Sequence, residues 1–439
     1  MAARKENTIS VDQLQVGVYV YLDVGWMNHP FGFNNFKIRS EEQIRTIRQM
    51  GLSAVRWDPD RSDQKPLAPP APRTAGATTA GLSGQETTAD GAPTAGQDDP
   101  IMAAKRERMC RLAALREQHA RVEQAFLGTA TVVRTINKTI FSQPAKTIAD
   151  TTALVGQMVD QLLAAPDLAI QVMNENPRGE NVYFHALNVA VLAMVLGREL
   201  GLPAEDVRTL GLGALFHDIG LAEVPSRILY NTGTLTKAER EFRELHCEYG
   251  LNIGKKAGLP AGVLQIIYQH HENFDGSGYL RRLKGEAIDV LARIVAIVNT
   301  YDNLCNPVNV AQALTPHEAL SQMFAVRRNH FDPKLLQLFI HFMGVYPPGT
   351  VVSFSNNAIG LVISVNQTHP LRPTVVVYDP EVPKQEAIVL DLLEEPDINI
   401  TKAIRPAQLL PAVFDYLSPR RRVSYYFDAG KKPQGAPPT

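Results

Sequence analysis

Residues 61–100 are built from Ala, Thr, Gly, Pro, Ser, Gln and Asp, with almost no large apolar side chain. Such a stretch cannot bury enough surface to offset the entropy of ordering, so it predicts a disordered linker. This constrains everything around it. The residues before it must build their own core, and the residues after it must build another. With 439 residues, and roughly 150 per domain, the chain suits two or three domains. A hydrophobic fraction of 45% excludes global disorder.

The block ahead of the linker, residues 1–60, reads as a small α+β module. GVYVYLDV at 17–24 alternates and is rich in β-branched residues, as a strand should be. Ser40 then opens a helix: it can accept from the amide three residues on, and Gln43 can reach back. Ile44, Ile47 and Met50 share one face before Gly51 stops the helix, and Leu52–Trp57 reads as a closing strand. The module holds one histidine, His29, and no cluster of ligand-type residues, which assigns it a regulatory role.

After the linker comes a connecting helical segment, 101–144. Met109, Leu112, Leu115 and Val122 recur in it at helical spacing. It is either a surface helix or a signalling helix that supports a homodimer. Residues 145–344 read as nearly all helix, with capping boxes at Thr236/Glu239 and Thr315/Glu318 and helix stops at Gly201 and Gly258. Residues 345–439 change character. Three β-rich runs, at 346–354, 360–365 and 373–378, predict a small β appendage. In the tail, Arg420, Arg421 and Arg422 precede Tyr425 and Tyr426; an anion-binding role is open, but a solvated end is the expectation. The fold class is therefore multidomain and mainly α, flanked by two small β-containing pieces.

Forty-four basic and 45 acidic side chains leave a charge of −1, which argues against a DNA-coating protein. Three widely spaced cysteines, Cys110, Cys247 and Cys305, fit a reducing compartment rather than a cystine-stapled fold. The apolar run at Val189–Gly197 is far short of the ~18 residues a spanning helix needs. The start of the chain lacks the apolar core of a signal peptide. The expected location is cytoplasmic, with no transmembrane segment.

Chemistry concentrates in the helical block. His185, His217-Asp218, His246 and His270-His271 lie there, and both pairs end apolar helices, GLGALFHDIG and GVLQIIYQHHE. One histidine on an apolar helix is usually a core or surface residue. These five at such positions, with a carboxylate among them, are costly to bury together unless a metal satisfies them. Adjacent helical side chains point about 100° apart, so His270 and His271 are expected to serve different ions, which favours two metals. Gly276 and Gly278 let the loop beyond the pair turn sharply, and Tyr279 could stack on a base.

HDIG at 217–220, HHENFDGSGY at 270–279 and ARIVAIVNTYDNL together resemble the HD-GYP phosphodiesterases, a branch of the HD hydrolase superfamily. The resemblance covers about 145–344, with steps of 32, 29 and 24 residues from His185 through His217 and His246 to His270. The first block is similar to the uncharacterised domain that often precedes HD-GYP in bacteria. The resemblance implies an HD-type helical bundle and hydrolysis of cyclic di-GMP to pGpG or GMP. The nucleophile it implies is a hydroxide activated between two divalent ions, iron or manganese, with Asp218 as the bridge.

The implied ligands are His185, His217, Asp218, His246, His270 and His271, with Asn299 or Asp302 supplying a late oxygen. Asp275, Gly276, Gly278 and Tyr279 would shape the guanine and ribose side. Signalling partners such as diguanylate cyclases are also implied. Departures from the family pattern are Asn181 for a glutamate, Leu221 for the phosphate-binding lysine, Asn299 for an aspartate, and Asn306-Pro-Val-Asn309 for a basic motif. Arg281, Arg282, Arg327 or Arg328 could supply the missing cations. These departures keep two alternatives open: a sensor that binds cyclic di-GMP or a protein partner without turnover, and an HD phosphohydrolase of another nucleotide.

Overall fold

The computed structural model describes residues 7–24, 29, 31, 34–69, 100–164, 169–172, 181–231, 233–366, 368–380, 382, 384, 387–418 and 425–428. Most of the expected linker, 70–99, and Arg420, Arg421 and Arg422 lie outside them. The chain divides into two compact units: Met1–Ala114 with Pro380–Pro383, and Leu115–Asp379 with Lys384–Thr439.

The first unit contains β1 (Thr8–Ser10), β2 (Tyr19–Tyr21), β3 (Asn35–Lys37), α1 (Glu41–Gln49) and β4 (Ala54–Trp57). The strands form one antiparallel sheet in the order β1-β4-β2-β3. Ile44 and Ile47 of α1 join Ile9, Val18, Val20, Ile38 and Val55 in its core. Ser40 caps α1 as expected, accepting from the Gln43 amide at 3.3 Å. Gln43 reaches past Ser40 and accepts from the Arg39 amide at 2.7 Å. The strand expected over 17–24 shortens to Tyr19–Tyr21, because Gly17 turns the chain with φ +96°.

α2 (Pro100–Thr139) runs through most of the segment expected to be helical, and only its residues from Leu115 belong to the second unit. Val122 is buried there, while the side chains of Met109, Leu112 and Leu115 lie outside the described set. The unit continues with α3 (Pro144–Ala164), β5 (Ala169–Val172), α4 (Asn181–Glu199), α5 (Ala204–Phe216), α6 (Ser226–Leu229), α7 (Lys237–Glu244), α8 (His246–Ala257), α9 (Ala261–Gln269), α10 (Val290–Cys305), α11 (Pro316–Ala325) and α12 (Pro333–Met343). Every side chain from Leu187 to Leu196 is buried, so α4 is apolar all round and runs through the core. It packs against α5, α10 and α12. Both expected capping boxes form. Gly258 ends α8 at φ +85°, where its amide reaches the Gly254 and Lys255 carbonyls.

β6 (Val351–Phe354), β7 (Ile359–Ser364), β8 (Thr374–Val377), β9 (Ile388–Asp391) and β10 (Ile400–Ile404) form an antiparallel sheet in the order β10-β6-β7-β8-β9. α13 (Pro411–Leu417) packs on it through Val413 and Leu417. The three expected strands are present. IVLD and ITKAI escaped the sequence reading because they are short and sit among charges and turns. The solvated tail is corrected as well. β11 (Tyr425–Asp428) pairs antiparallel with β5, and Tyr425 and Tyr426 are 0% and 4% exposed. Large aromatic surface adjoining a core is worth about 1.5–3 kcal/mol when buried, which outweighs the polarity of the preceding residues. Among the described residues, no helix is long and apolar enough to cross a membrane.

Candidate metal centre

The charged side chains of this site arrive from helix ends. His217 caps α5, and Asp218 lies just outside the helix at φ −100°, ψ 11°. His246 opens α8, His270 caps α9, and His185 sits early in α4. Gly220 lets the Asp218 turn lie directly on the start of α8, against the His246 carbonyl and the Gly250 amide. Only a residue without a Cβ allows that approach.

Asp218 stands between two groups of rings. Its Oδ2 faces His217 Nε2 at 3.4 Å and His185 Nε2 at 3.8 Å. Its Oδ1 faces His246 Nε2 at 3.2 Å and His270 Nε2 at 3.6 Å. The donor atoms of His185, His217 and Asp218 form one compact group; those of Asp218, His246, His270 and His271 form another. His217, His246 and His270 turn Nδ1 to the carbonyls of Ala214, Arg243 and Ile267 at 2.7, 2.8 and 2.9 Å. An N–H donates there, so in the neutral ring Nε2 is the atom that offers a lone pair to the interior. Nε2 atoms then meet at 3.3 Å between His185 and His217, and at 3.4 Å between His246 and His270. Two acceptors cannot bond each other. A proton or a cation has to stand between them, and this donor set fits divalent metals.

The protein's own electrostatics say the same. Burial would raise Asp218, but the charge of His217 and hydrogen bonds from His217, His246 and His270 outweigh it and hold the carboxyl well below its usual range. Burial would lower His246, but its hydrogen bond to Asp218 wins and lifts it to about 10. Burial keeps His270 down at about 4, and holds His271 well below the ordinary imidazole range. A cation at this site therefore has to displace the His246 proton. Affinity for Mn2+ should rise with pH by about tenfold per unit per proton released, over roughly pH 6–8. Calorimetry in two buffers of different ionisation heat would count the protons. An affinity flat with pH would contradict the ring assignments.

Two expectations change. His270 and His271 do offer atoms to the same group, with ring centroids 4.2 Å apart. Regular helix ends at Gln269 and His271 lies in a turn, so the 100° separation no longer applies. Asp302 falls in neither group. Asp302 Oδ2 holds His185 Nδ1 at 2.6 Å, while its Oδ1 accepts from Asn188 and Asn306 at 2.8 Å each. It orients a ring instead of offering a free oxygen. Asn299 lies beside His185, its Oδ1 accepting from Asn303 Nδ2 at 2.6 Å, and it stays a candidate for the late oxygen.

The loop after the histidine pair forms a rim. Glu272, 2% exposed, accepts from the Arg281 and Leu283 amides at 2.7 and 2.9 Å and so fixes the loop's return. Asp275 is exposed and spends Oδ1 on the Ser277 amide and hydroxyl, closing a turn with Gly276 at φ +84°. Gly278 is pressed on the His271 carbonyl and the Glu272 and Asn273 backbone, and Tyr279 stacks on His271 at 4.7 Å. Leu221 is half-buried in the 3-10 turn Ile219–Glu223. Asn181 opens α4, but its side chain is outside the described set. Sequence reading gave no role to Glu272 or Asn188. Each is a polar residue beside or within an apolar run, and that was the available signal.

The chain is similar to several known proteins. Residues 145–335 match the HD domain family, 6–151 a domain of unknown function, DUF3391, and 351–411 the KOW domain associated with HD domain. The chain is 28% identical over 373 residues to the cyclic di-GMP phosphodiesterase PA4108 of Pseudomonas aeruginosa, covering 84% of each chain. It is 34% identical over 152 residues to the cyclic di-GMP phosphodiesterase response regulator RpfG of Xanthomonas campestris, spanning 34% of this chain and 40% of that one. Among solved structures, Bd1817, an HDG"Y"P protein from Bdellovibrio bacteriovorus, aligns with a TM-score of 0.41 at 14% identity, covering 76% of this chain and 98% of that one.

Proposed function

We infer that this chain, which carries an HD domain behind a DUF3391 domain, is a metal-dependent phosphodiesterase that hydrolyses cyclic di-GMP to pGpG, GMP or both. The observation that carries this reading is Asp218, one carboxylate with its two oxygens turned to two different sets of histidines. The names of the similar proteins point to the substrate.

Two divalent ions, iron or manganese, fit the two donor groups. When bound they supply Lewis-acid activation of water and neutralise charge on the phosphate. The rest falls to the chain itself. His185 and His217 would hold one ion and His246, His270 and His271 the other, with Asp218 offering one oxygen to each group. Fixed Nδ1–H bonds keep the rings from rotating, so no reorganisation is needed during reaction. Tyr279, propped on His271, offers an aromatic flank to a guanine, and Glu272 keeps that flank in place.

The departures at Leu221, Asn306 and Asn309 favour a second reading, in which cyclic di-GMP is bound without turnover. One experiment separates the two. Iron- or manganese-loaded protein is incubated with cyclic di-GMP, and products are followed by chromatography beside a calorimetric titration. The expected result is pGpG or GMP. Binding without product selects the sensor, and neither signal would point to another nucleotide, to be found with a substrate panel. The regulatory assignment of the 1–60 module, and dimerisation through the α2 region, stand as proposals to be tested by deletion and by solution mass.

A further inference from the structure

Asp302 is fully buried, so its side-chain oxygens need donors. One of them is Asn188, itself 1% exposed, whose Nδ2 donates to Asp302 Oδ1 at 2.8 Å. A side-chain amide can flip, and the flipped form would set an oxygen against the carboxylate. The partner on its other end prevents this: the Tyr425 backbone N–H donates to Asn188 Oδ1 at 3.1 Å. A backbone amide only donates, so Asn188 must keep its oxygen towards Tyr425 and its NH2 towards Asp302. Asp302 Oδ2 then accepts from His185 Nδ1 at 2.6 Å, so in the neutral ring Nε2 is the atom left for a cation on the Asp218 side.

Tyr425 is held where this needs it. Its strand pairs with β5, its hydroxyl meets that of Tyr301 at 2.7 Å, and the Tyr426 hydroxyl meets Thr129 of α2 at 3.0 Å. We infer that the C-terminal strand is a positioning element of the metal centre, setting the tautomer and orientation of His185 through Asn188 and Asp302. The inference rests on the reading of the His185 group as a cation site.

The chain acts on one donor group only, and this makes the role testable in the full-length protein. In Asn188→Leu, one of two Mn2+ equivalents should weaken by about 10–100-fold, as for other groups that orient a ligand. The other equivalent should hold within about twofold. Long-range 1H–15N spectra should show His185 losing its fixed Nδ1–H form. Asn188→Ser, a smaller change that cannot bridge both partners, serves if the leucine variant does not fold. A folded variant with both equivalents and the His185 tautomer unchanged would overturn the inference. So would a uniform loss of both equivalents in step with thermal stability, which marks a merely structural residue. Wild-type protein that takes up no cation would overturn the proposed function instead. The His185 tautomer, read without metal, still decides the relay.

Discussion

Asp218→Ala should remove both cation positions in one step. Each of its oxygens faces a different group of rings, so no other single side chain among the described residues serves both. The expected loss of affinity exceeds the roughly 100-fold caused by disturbing an orienting neighbour. Hydrolysis of cyclic di-GMP should fall to background. His185→Ala should weaken one equivalent and spare the other. The fold should survive, because the helical core is built from α4, α5, α9 and α10 rather than from this carboxylate. Elemental analysis, calorimetry and circular dichroism on the two variants check all of this. Unchanged metal content in folded Asp218→Ala would end the bridging assignment.

Gly220→Ala should be the most damaging single methyl in the protein's active face. The new Cβ would overlap the His246 carbonyl and the Gly250 amide, which are backbone atoms and cannot swing aside as a side chain does. α8 must move, and with it His246. A cost of about 3 kcal/mol or more is expected, at or above the upper end for overpacking. At a few degrees per kcal/mol, the melting temperature should drop by roughly 6 °C or more. Metal affinity of the His246 group should fall in parallel. Gly156→Ala in α3 is the matched comparison. Nothing lies within 4 Å of its added Cβ, so alanine should be neutral or stabilising by up to about 1 kcal/mol. Equal melting temperatures for the two variants would show that the close approach at Gly220 does not exist in solution.

Much of this was legible from local pattern. The helix starts at Ser40, Thr236 and Thr315 could be read from residue type because capping is settled within three or four residues. Apolar period marked the helical core, and the two helix-ending motifs marked where ligand-type side chains could leave it. Histidines and a carboxylate that a core cannot tolerate unaided pointed to a cation site before any distance was known.

What local pattern could not settle were facts made by residues far apart in the chain. Whether His270 and His271 serve one group or two depended on α9 ending at Gln269. Whether Asp302 offers an oxygen or orients a ring depended on Asn188 and His185, more than a hundred residues away. The tail read as solvated because its neighbours are charged; burial of Tyr425 and Tyr426 is conferred by α2, α10 and β5, which no window around residue 425 contains. Residue type and spacing limit which atoms are available to a site. Which lone pair faces which partner is a question of non-local packing, since a hydrogen bond is directional and its two ends are free to come from anywhere in the chain.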